Sequence, residues 1–374
     1  MDTVGIICEY NPFHNGHLYH INKCKEMFPD AIIVLVLNGY FSQRGEMSIL
    51  TKEDKTKIAL EAGVNLVIEL PFVFGTQSAD TFAFTSVQLL NELGVKKIVF
   101  GSEQNDTDLL NKIVDIQLND SKYQENVQKL LATGINYPTA MARALNVDMD
   151  FNLPNDLLGI SYVKAIKQIN SKIKFHTIKR TSDYHDAIDD SEIVSATNIR
   201  LRNNKKMDIS KFVPSYVLPY IKDANFDYFS LLKYKIISDV NLEQYLDVDE
   251  GLENRLKKFI NNTTFLDELV TDIKSKRYTH NKICRMFVHI LIGLTKEDNK
   301  TISLDYVRVL GFDSLGKKYL NMVKKDMTLP FATNKLKSKI LDYEYKASLI
   351  YDLITGLDTY SFEKMMKPIE KKDD

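Results

Sequence analysis

Near the N-terminus stands the run Glu9-Tyr10-Asn11-Pro12-Phe13-His14-Asn15-Gly16-His17, between an apolar stretch and an amphipathic one. Its residue types suit phosphate chemistry. Two histidines three apart, one just before a helix and one in its first turn, can point together at a phosphate beside the positive helix end. Imidazole donates hydrogen bonds and changes charge near neutral pH. Such a pair can stabilise the charge that accumulates on a nucleotide's α-phosphate as pyrophosphate leaves. Asn-Pro forces a turn, and Gly16 lets the backbone pass close to a ligand. His20, one turn beyond His17, faces either the same site or solvent. Metal ligation is the competing use of the pair, but no acidic or cysteine ligand stands at zinc spacing, so no metal site is expected.

These residues need a scaffold that delivers a loop to a strand end. Thr3–Cys8 is expected as a strand and Leu18–Phe28 as a helix; Ala31–Leu37, Asn65–Leu70, Lys97–Phe100 and Lys174–Ile178 are further strands. Helices are expected over Lys52–Ala62 with Thr51 as cap, Thr81–Leu93, Asp108–Gln117, Tyr123–Leu131, Asp156–Ile169 and from Thr197 to Asn203. Val- and Ile-rich strands alternating with helices imply right-handed crossovers and a parallel sheet covered on both faces. The histidine run then lies on the strand-end side of an open sheet, where nucleotides bind. Beyond about residue 205 the apolar residues recur at three- and four-residue spacing, a helical pattern. The fold expected is an α/β, Rossmann-like domain over 1–205 followed by a mainly helical, basic domain over 206–374.

Composition narrows the partners. The chain has 374 residues, 49 Lys+Arg against 50 Asp+Glu, and three cysteines. Cys8, Cys24 and Cys284 are too scattered for a disulfide framework or a CxxC site. No apolar run is long enough to span a bilayer, and no leader pattern opens the chain, so a cytoplasmic protein without a membrane partner is expected. The charge is uneven: residues 1–200 carry a net −6, residues 201–374 a net +5, and residues 271–340 a net +9. A basic, aromatic-studded half beside an acidic one fits either a nucleic-acid footprint or a lysine-rich solvated helical face. Lys276, Arg277, Lys282 and Arg285 fall on one stretch that could track phosphates.

His14-Asn15-Gly16-His17 resembles the H-x-G-H signature of the HIGH superfamily of nucleotidylyltransferases and class I aminoacyl-tRNA synthetases. Val194-Ser195-Ala196-Thr197-Asn198-Ile199-Arg200 resembles its second signature, I-S-S-T-x-x-R, with alanine for the second serine. No K-M-S-K-S-like loop is present. More narrowly, Gly5–His20, Phe41-Ser42-Gln43-Arg44-Gly45-Glu46, Glu69-Leu70-Pro71-Phe72, Phe100-Gly101-Ser102-Glu103, Pro154-Asn155-Asp156-Leu157-Leu158-Gly159, Tyr184-His185-Asp186 and Lys276-Arg277-Tyr278-Thr279 resemble, in this order, the bacterial tRNA(Met) cytidine acetate ligases. The resemblance implies activation of acetate by ATP as acetyl-adenylate, then transfer of the acetyl group to the exocyclic amine of the wobble cytidine of elongator tRNA(Met). It implies Mg2+ travelling with ATP and no acetyl-coenzyme A. It carries ATP contacts onto Ile7, Cys8, the Glu9–His17 run with Pro12, Phe13 and Asn15 included, Leu18, Tyr19 and His20, and onto Gly101, Asn155 and Arg180. His14 and His17 would be catalytic. Ser195, Thr197 and Arg200 open a helix and could hold the pyrophosphate side. A small-molecule adenylyltransferase and a non-catalytic tRNA-binding protein are the alternatives; the long basic half speaks against the first, the intact His14, Gly16, His17 and Arg200 against the second.

Overall fold

The computed structural model describes residues 1–145, 153–180, 193–222 and 226–372. Among these, β1 (Thr3–Cys8), β2 (Ile32–Asn38), β3 (Leu66–Leu70), β4 (Lys97–Ser102), β5 (Lys174–Lys179), β6 (Val309–Phe312) and β7 (Ile369–Glu370) form one sheet in the order β5-β4-β1-β2-β3-β6-β7. The first five are parallel; β6 runs antiparallel to β3. Every residue of β2 is buried, and its side chains alternate between two cores. Ile32, Val34 and Val36 pack on one face, Ile33, Leu35 and Leu37 on the other. A strand buried on both faces must be apolar throughout, which is how β2 reads.

Helices supply the cover. In chain order the first half contains α1 (Asn15–Met27), α2 (Lys52–Glu61), α3 (Phe72–Gly75), α4 (Ala79–Glu92), α5 (Thr107–Asn119), α6 (Ser121–Ala132), α7 (Tyr137–Leu145), α8 (Pro154–Gln168) and α9 (Ala196–Asn204). The second contains α10 (Phe229–Ser238), α11 (Leu252–Phe259), α12 (Leu266–Ile273), α13 (His280–Ile292), α14 (Lys296–Thr301), α15 (Ser314–Val323), α16 (Lys339–Thr355) and α17 (Tyr360–Met365). The expected elements of the first half are present within a few residues. Thr51 caps α2, its hydroxyl accepting from the Asp54 amide at 3.0 Å, and the fourth strand continues through Gly101 to Ser102. The helices α10, α12, α13 and α16 surround a separate apolar core around Phe287, Leu256 and Tyr351.

The second half is mainly helical, but it also completes the sheet: β6 and β7 come from beyond residue 205. A knot of buried charge fastens the two halves. The Lys52 ammonium on α2 lies 2.6 Å from Glu69 on β3, 2.8 Å from Glu344 on α16 and 2.8 Å from Glu363 on α17. Arg308 pairs with Glu69 at 3.1 Å and contacts Glu363. Three carboxylates this close could chelate a metal, but the lysine ammonium already sits among them. No helix among the described residues is long and apolar enough to cross a membrane.

The topology opens a crevice. Strand order reverses between β1 and β4, and these two pair only at Val4↔Lys97 and Gly5↔Ile98. Beyond Gly5 they diverge while β1 continues to Cys8 and β4 to Ser102. His20 fills the widening gap: its Nε2 lies 3.1 Å from the Val99 carbonyl, standing in for the missing ladder partner.

Candidate active site

The crevice leads into a cleft of ≈ 1090 Å³, somewhat above the usual range for small-molecule sites. His14 and His17 stand at its floor, where α1 begins. The helix starts at Asn15, three residues earlier than the periodicity alone suggests, because His14 caps it. The Gly16 amide donates to His14 Nδ1 at 3.0 Å, and the His14 amide donates to His17 Nδ1 at 3.2 Å. The rings lie 3.9 Å apart between centroids. An acceptor nitrogen carries no proton, so both neutral rings hold their hydrogen on Nε2. Burial lowers the His14 pKa to about 3 and the His17 pKa well below its ordinary value, with Arg180 adding to both. His20 is lowered to about 4, again by burial first. The folded pair is thus two neutral rings, each with its Nε2–H as donor, rather than groups changing charge near neutrality.

Gly16 lines the cleft, and its lack of a side chain also serves its neighbour. A Cβ there would lie 2.8 Å from His14 Cε1 and 3.0 Å from its Nδ1, so only glycine lets the imidazole fold over the helix start. The amides of α1 are also spoken for: Asn15 donates to the Phe212 carbonyl at 3.0 Å and His17 to the His14 carbonyl at 2.8 Å. An anion at this helix end would meet the imidazole Nε2–H groups and the helix field rather than bare backbone amides.

The other walls assemble from distant parts of the chain. Arg200, on α9, donates to the Asn11 carbonyl at 2.7 Å and to Glu46 at 2.5 Å, joining the second signature to the first and to the loop after β2. Ser195 Oγ accepts from the Asn198 amide at 3.2 Å as the α9 cap, and Thr197 lines the cleft beside it. At the β4 end, Asn155 donates through Nδ2 to Glu103, and Arg180 reaches Asn155 Oδ1 at 3.3 Å. Glu103 also takes the Asp156 amide at 2.9 Å, and Asp156 accepts from Ser102 and from the Gln104 amide. Glu46, Glu103 and Asp156 were not singled out by sequence; each lies inside a quoted segment, but only their partners reveal their use.

Within Ile7–His20, the cleft is lined by all but Pro12, Phe13, Asn15 and Leu18. Phe13 is fully buried, its ring 4.8 Å from Tyr10 and 6.4 Å from Tyr216, and Pro12 is buried beside it. Asn15 Nδ2 turns outward to the Lys211 carbonyl at 2.9 Å, and Leu18 packs on the core of this sheet face. These four residues do not line the cleft; Pro12, Phe13 and Leu18 anchor the turn from beneath, and Asn15 ties it to the Lys211 carbonyl. Asn11 is at the cleft but holds the loop, donating to the Met47 carbonyl at 3.1 Å and accepting from the Ile49 amide at 2.9 Å. Glu9 is engaged by Asn38 at 2.8 Å and by the Gln43 amide at 2.5 Å, and burial raises its pKa. The Cys8 thiol is pushed up to about 12, chiefly by burial, so no thiolate is available there. Gly101, Asn155, Arg180, Ser195 and Arg200 all reach the cleft, as do Arg277, Lys282 and Arg285. Lys276 does not; its carbonyl takes Asn136 Nδ2 at 3.4 Å instead. Tyr184-His185-Asp186 lies outside the described residues.

The comparisons with known proteins identify the family and the overall fold. A model of the family described as HIGH Nucleotidyl Transferase matches residues 1–365. A tRNA(Met) cytidine acetate ligase of Fusobacterium nucleatum is 37% identical, with 100% of this chain and 99% of that protein aligned. One from a Geobacillus strain is 39% identical over 95% of each. The crystal structure of Thermotoga maritima TmcAL in its apo form superposes with a TM-score of 0.91 at 29% identity, covering 100% of both chains. The same protein bound with alpha-thio ATP superposes with a TM-score of 0.89 at 28% identity.

Proposed function

The chain belongs to the HIGH nucleotidyl transferase family and is a ligase of the tRNA(Met) cytidine acetate ligase kind, and from that premise we propose that it activates acetate with ATP and acetylates the wobble cytidine of elongator tRNA(Met). In the first step an acetate oxygen attacks the α-phosphorus, the bond to the β-phosphate bridging oxygen breaks, and pyrophosphate leaves. In the second, the cytidine N4 amine attacks the acetyl carbon of the mixed anhydride. The carbon–oxygen bond to AMP breaks, N4 loses a proton to solvent, and N(4)-acetylcytidine and AMP are released. The energy of the anhydride drives this transfer, so positioning is the main requirement, and no acetyl-coenzyme A is needed.

The observation that carries this reading is the locked pair of imidazoles. His14 and His17 each spend Nδ1 on a backbone amide and so present Nε2–H toward the cleft. Donors held in place before reaction stabilise developing charge without reorganisation. Arg200 and the start of α9 take the pyrophosphate side in this reading; Gly101, Asn155 and Arg180 take the adenosine side. Mg2+ enters as part of the ATP substrate, because the nearby carboxylates Glu9 and Glu46 are already engaged by protein donors.

Incubation of the protein with ATP, labelled acetate and an in vitro transcript of elongator tRNA(Met) tests the proposal. Mass spectrometry should find one acetylated cytidine at the wobble position, and acetate-dependent exchange of pyrophosphate into ATP should proceed without RNA. Exchange driven by another acceptor but not by acetate would replace the ligase with a small-molecule adenylyltransferase.

A further inference from the structure

The wall of the cleft facing the histidines comes from the second half of the chain. Lys282, Arg285 and His289 recur on α13 at intervals of three and four, on one helical face; Arg277 precedes the helix and Lys296 opens α14. Arg277, Lys282, Arg285 and Lys296 all line the cleft. Their counter-ions come from one short segment. Asp249 is 2.9 Å from Lys282 and 3.3 Å from Lys296; Glu250 is 2.6 Å from Arg277; Asp247 is 3.8 Å from Arg285.

That segment is held in an uncommon shape. Asp247 and Glu250 have φ of 66° and 53°, in the left-handed region, and Gly251 follows at 85°. Residues other than glycine enter that region at a cost, and such residues gather at functional loops. The two ends are anchored differently. Asp247 lies 3.2 Å from His289 Nδ1, whose Nε2 is 2.8 Å from the Thr76 carbonyl, in a fully buried position. Glu250 and Arg277 form a half-exposed pair and Asp249 and Lys282 one about a third exposed, and solvated pairs of this kind hold weakly.

We propose that Arg277, Lys282 and Lys296 form a docking surface for an RNA phosphodiester backbone, and that Asp249 and Glu250 occupy it as phosphate stand-ins until RNA displaces them. The inference rests on the RNA substrate of the proposed function. A chain of phosphates can replace successive carboxylates along one wall, with Asp247 and His289 as the fixed end of the exchange. In the proposed function ATP is served from the other side of the cleft by Arg180 and Arg200, which leaves this wall to the second substrate. Within the net +9 stretch it is the cleft-facing cations that are matched in this way, whereas lysines such as Lys274, Lys276, Lys324 and Lys325 are exposed.

The test is RNA binding by the D249N/E250Q double variant, measured with the elongator tRNA(Met) transcript across a range of salt concentrations. Three cations relieved of their carboxylates, Arg277, Lys282 and Lys296, should bind the transcript at least roughly tenfold more tightly, and the salt dependence should steepen by about 0.7–0.9 per relieved contact. Unchanged affinity and slope with an unchanged melting temperature would mean that the pairs are structural and overturn the proposal. If the double variant melts early, E250Q alone carries the test, since its partner Arg277 is half-exposed; no gain in affinity there overturns it equally. A changed KM for ATP in pyrophosphate exchange without a change in RNA affinity would assign the wall to the nucleotide instead. A wild-type protein that acetylates the transcript while the variants bind no better overturns this inference alone, whereas failure of wild-type acetylation overturns the proposed function with it.

Discussion

His14 does two jobs that a single substitution can separate. Its Nδ1 caps α1 and its Nε2–H faces the cleft. Asparagine is among the best N-caps, whereas alanine at such a position costs about 1 kcal/mol. His14→Asn should therefore melt close to the wild type, yet lose acetate-dependent pyrophosphate exchange by roughly 10²–10³-fold, the usual cost of one preorganised donor. Exchange at the wild-type rate would remove His14 from the mechanism. The same residue governs a pH effect. Burial holds the folded pKa of His14 at about 3 and of His20 at about 4, below the ordinary 6.5. Between those values the unfolded chain binds more protons, so stability is full above about pH 6.5 and falls as pH drops, by up to about 1.4 kcal/mol per pH unit for each group. Denaturant unfolding between pH 6.5 and 4.5 should show a shallower fall in His14→Asn than in the wild type; equal slopes would mean that His14 is already charged in the folded protein.

At the scale of elements, the loop between β2 and α2 is what brings the two halves of the cleft together. It carries Glu46, which Arg200 grips, and it returns on itself through a bridge between Phe41 and Met47. Gly45 sits at its tip with φ of 82°, and a Cβ there would lie 2.5 Å from the Arg285 amide nitrogen and from the Cys284 carbonyl carbon. The loop thus rests backbone against backbone on α13, and no flexible side chain can yield. Gly45→Ala should destabilise the protein by about 1–3 kcal/mol from the backbone strain alone, with the contact adding to it. Urea unfolding measures the loss. A variant as stable as the wild type would show that loop and helix can part freely.

For the molecule as a whole, the buried knot around Lys52 ties the beginning of the chain to its end. Burial pushes the Glu344 carboxyl up to about 7, while Lys52 and Arg308 hold Glu363 low. Two cations thus face three carboxylates, and burial pushes one of them, Glu344, upward. Lys52→Met would strand carboxylates in the interior, and breaking a buried ion pair from one side costs about 3–5 kcal/mol. Adding Glu344→Gln should recover part of that loss, because it removes one uncompensated charge. Denaturant unfolding of the single and double variants checks the order; a double variant less stable than Lys52→Met would show that Glu344 is held by something other than Lys52.

Much of this protein was legible along the chain because the relevant forces are local. Four of the five parallel strands announce themselves as mostly apolar runs such as Ile32–Leu37, β5 being half polar, and the histidine run falls after the first of them, where a parallel sheet delivers its loops. The four-residue β6 and two-residue β7 are too short to show a period of two; only pairing with Leu66–Ile68, some 240 residues away, makes β6 a strand. The same holds for charge. The basic residues of 271–340 can be counted in sequence, but whether a lysine is a solvated cation, the centre of a buried knot or one side of a matched wall depends on which carboxylates fold against it. For Lys52 and Lys282 those come from positions 344 and 249. Residue types and local spacing decide which chemistry is available. Burial and long-range partners decide which imidazoles stay neutral, which glycine must leave room for a neighbouring ring, and which cations are free to meet an anion, because desolvation and Coulomb energy are properties of three-dimensional surroundings.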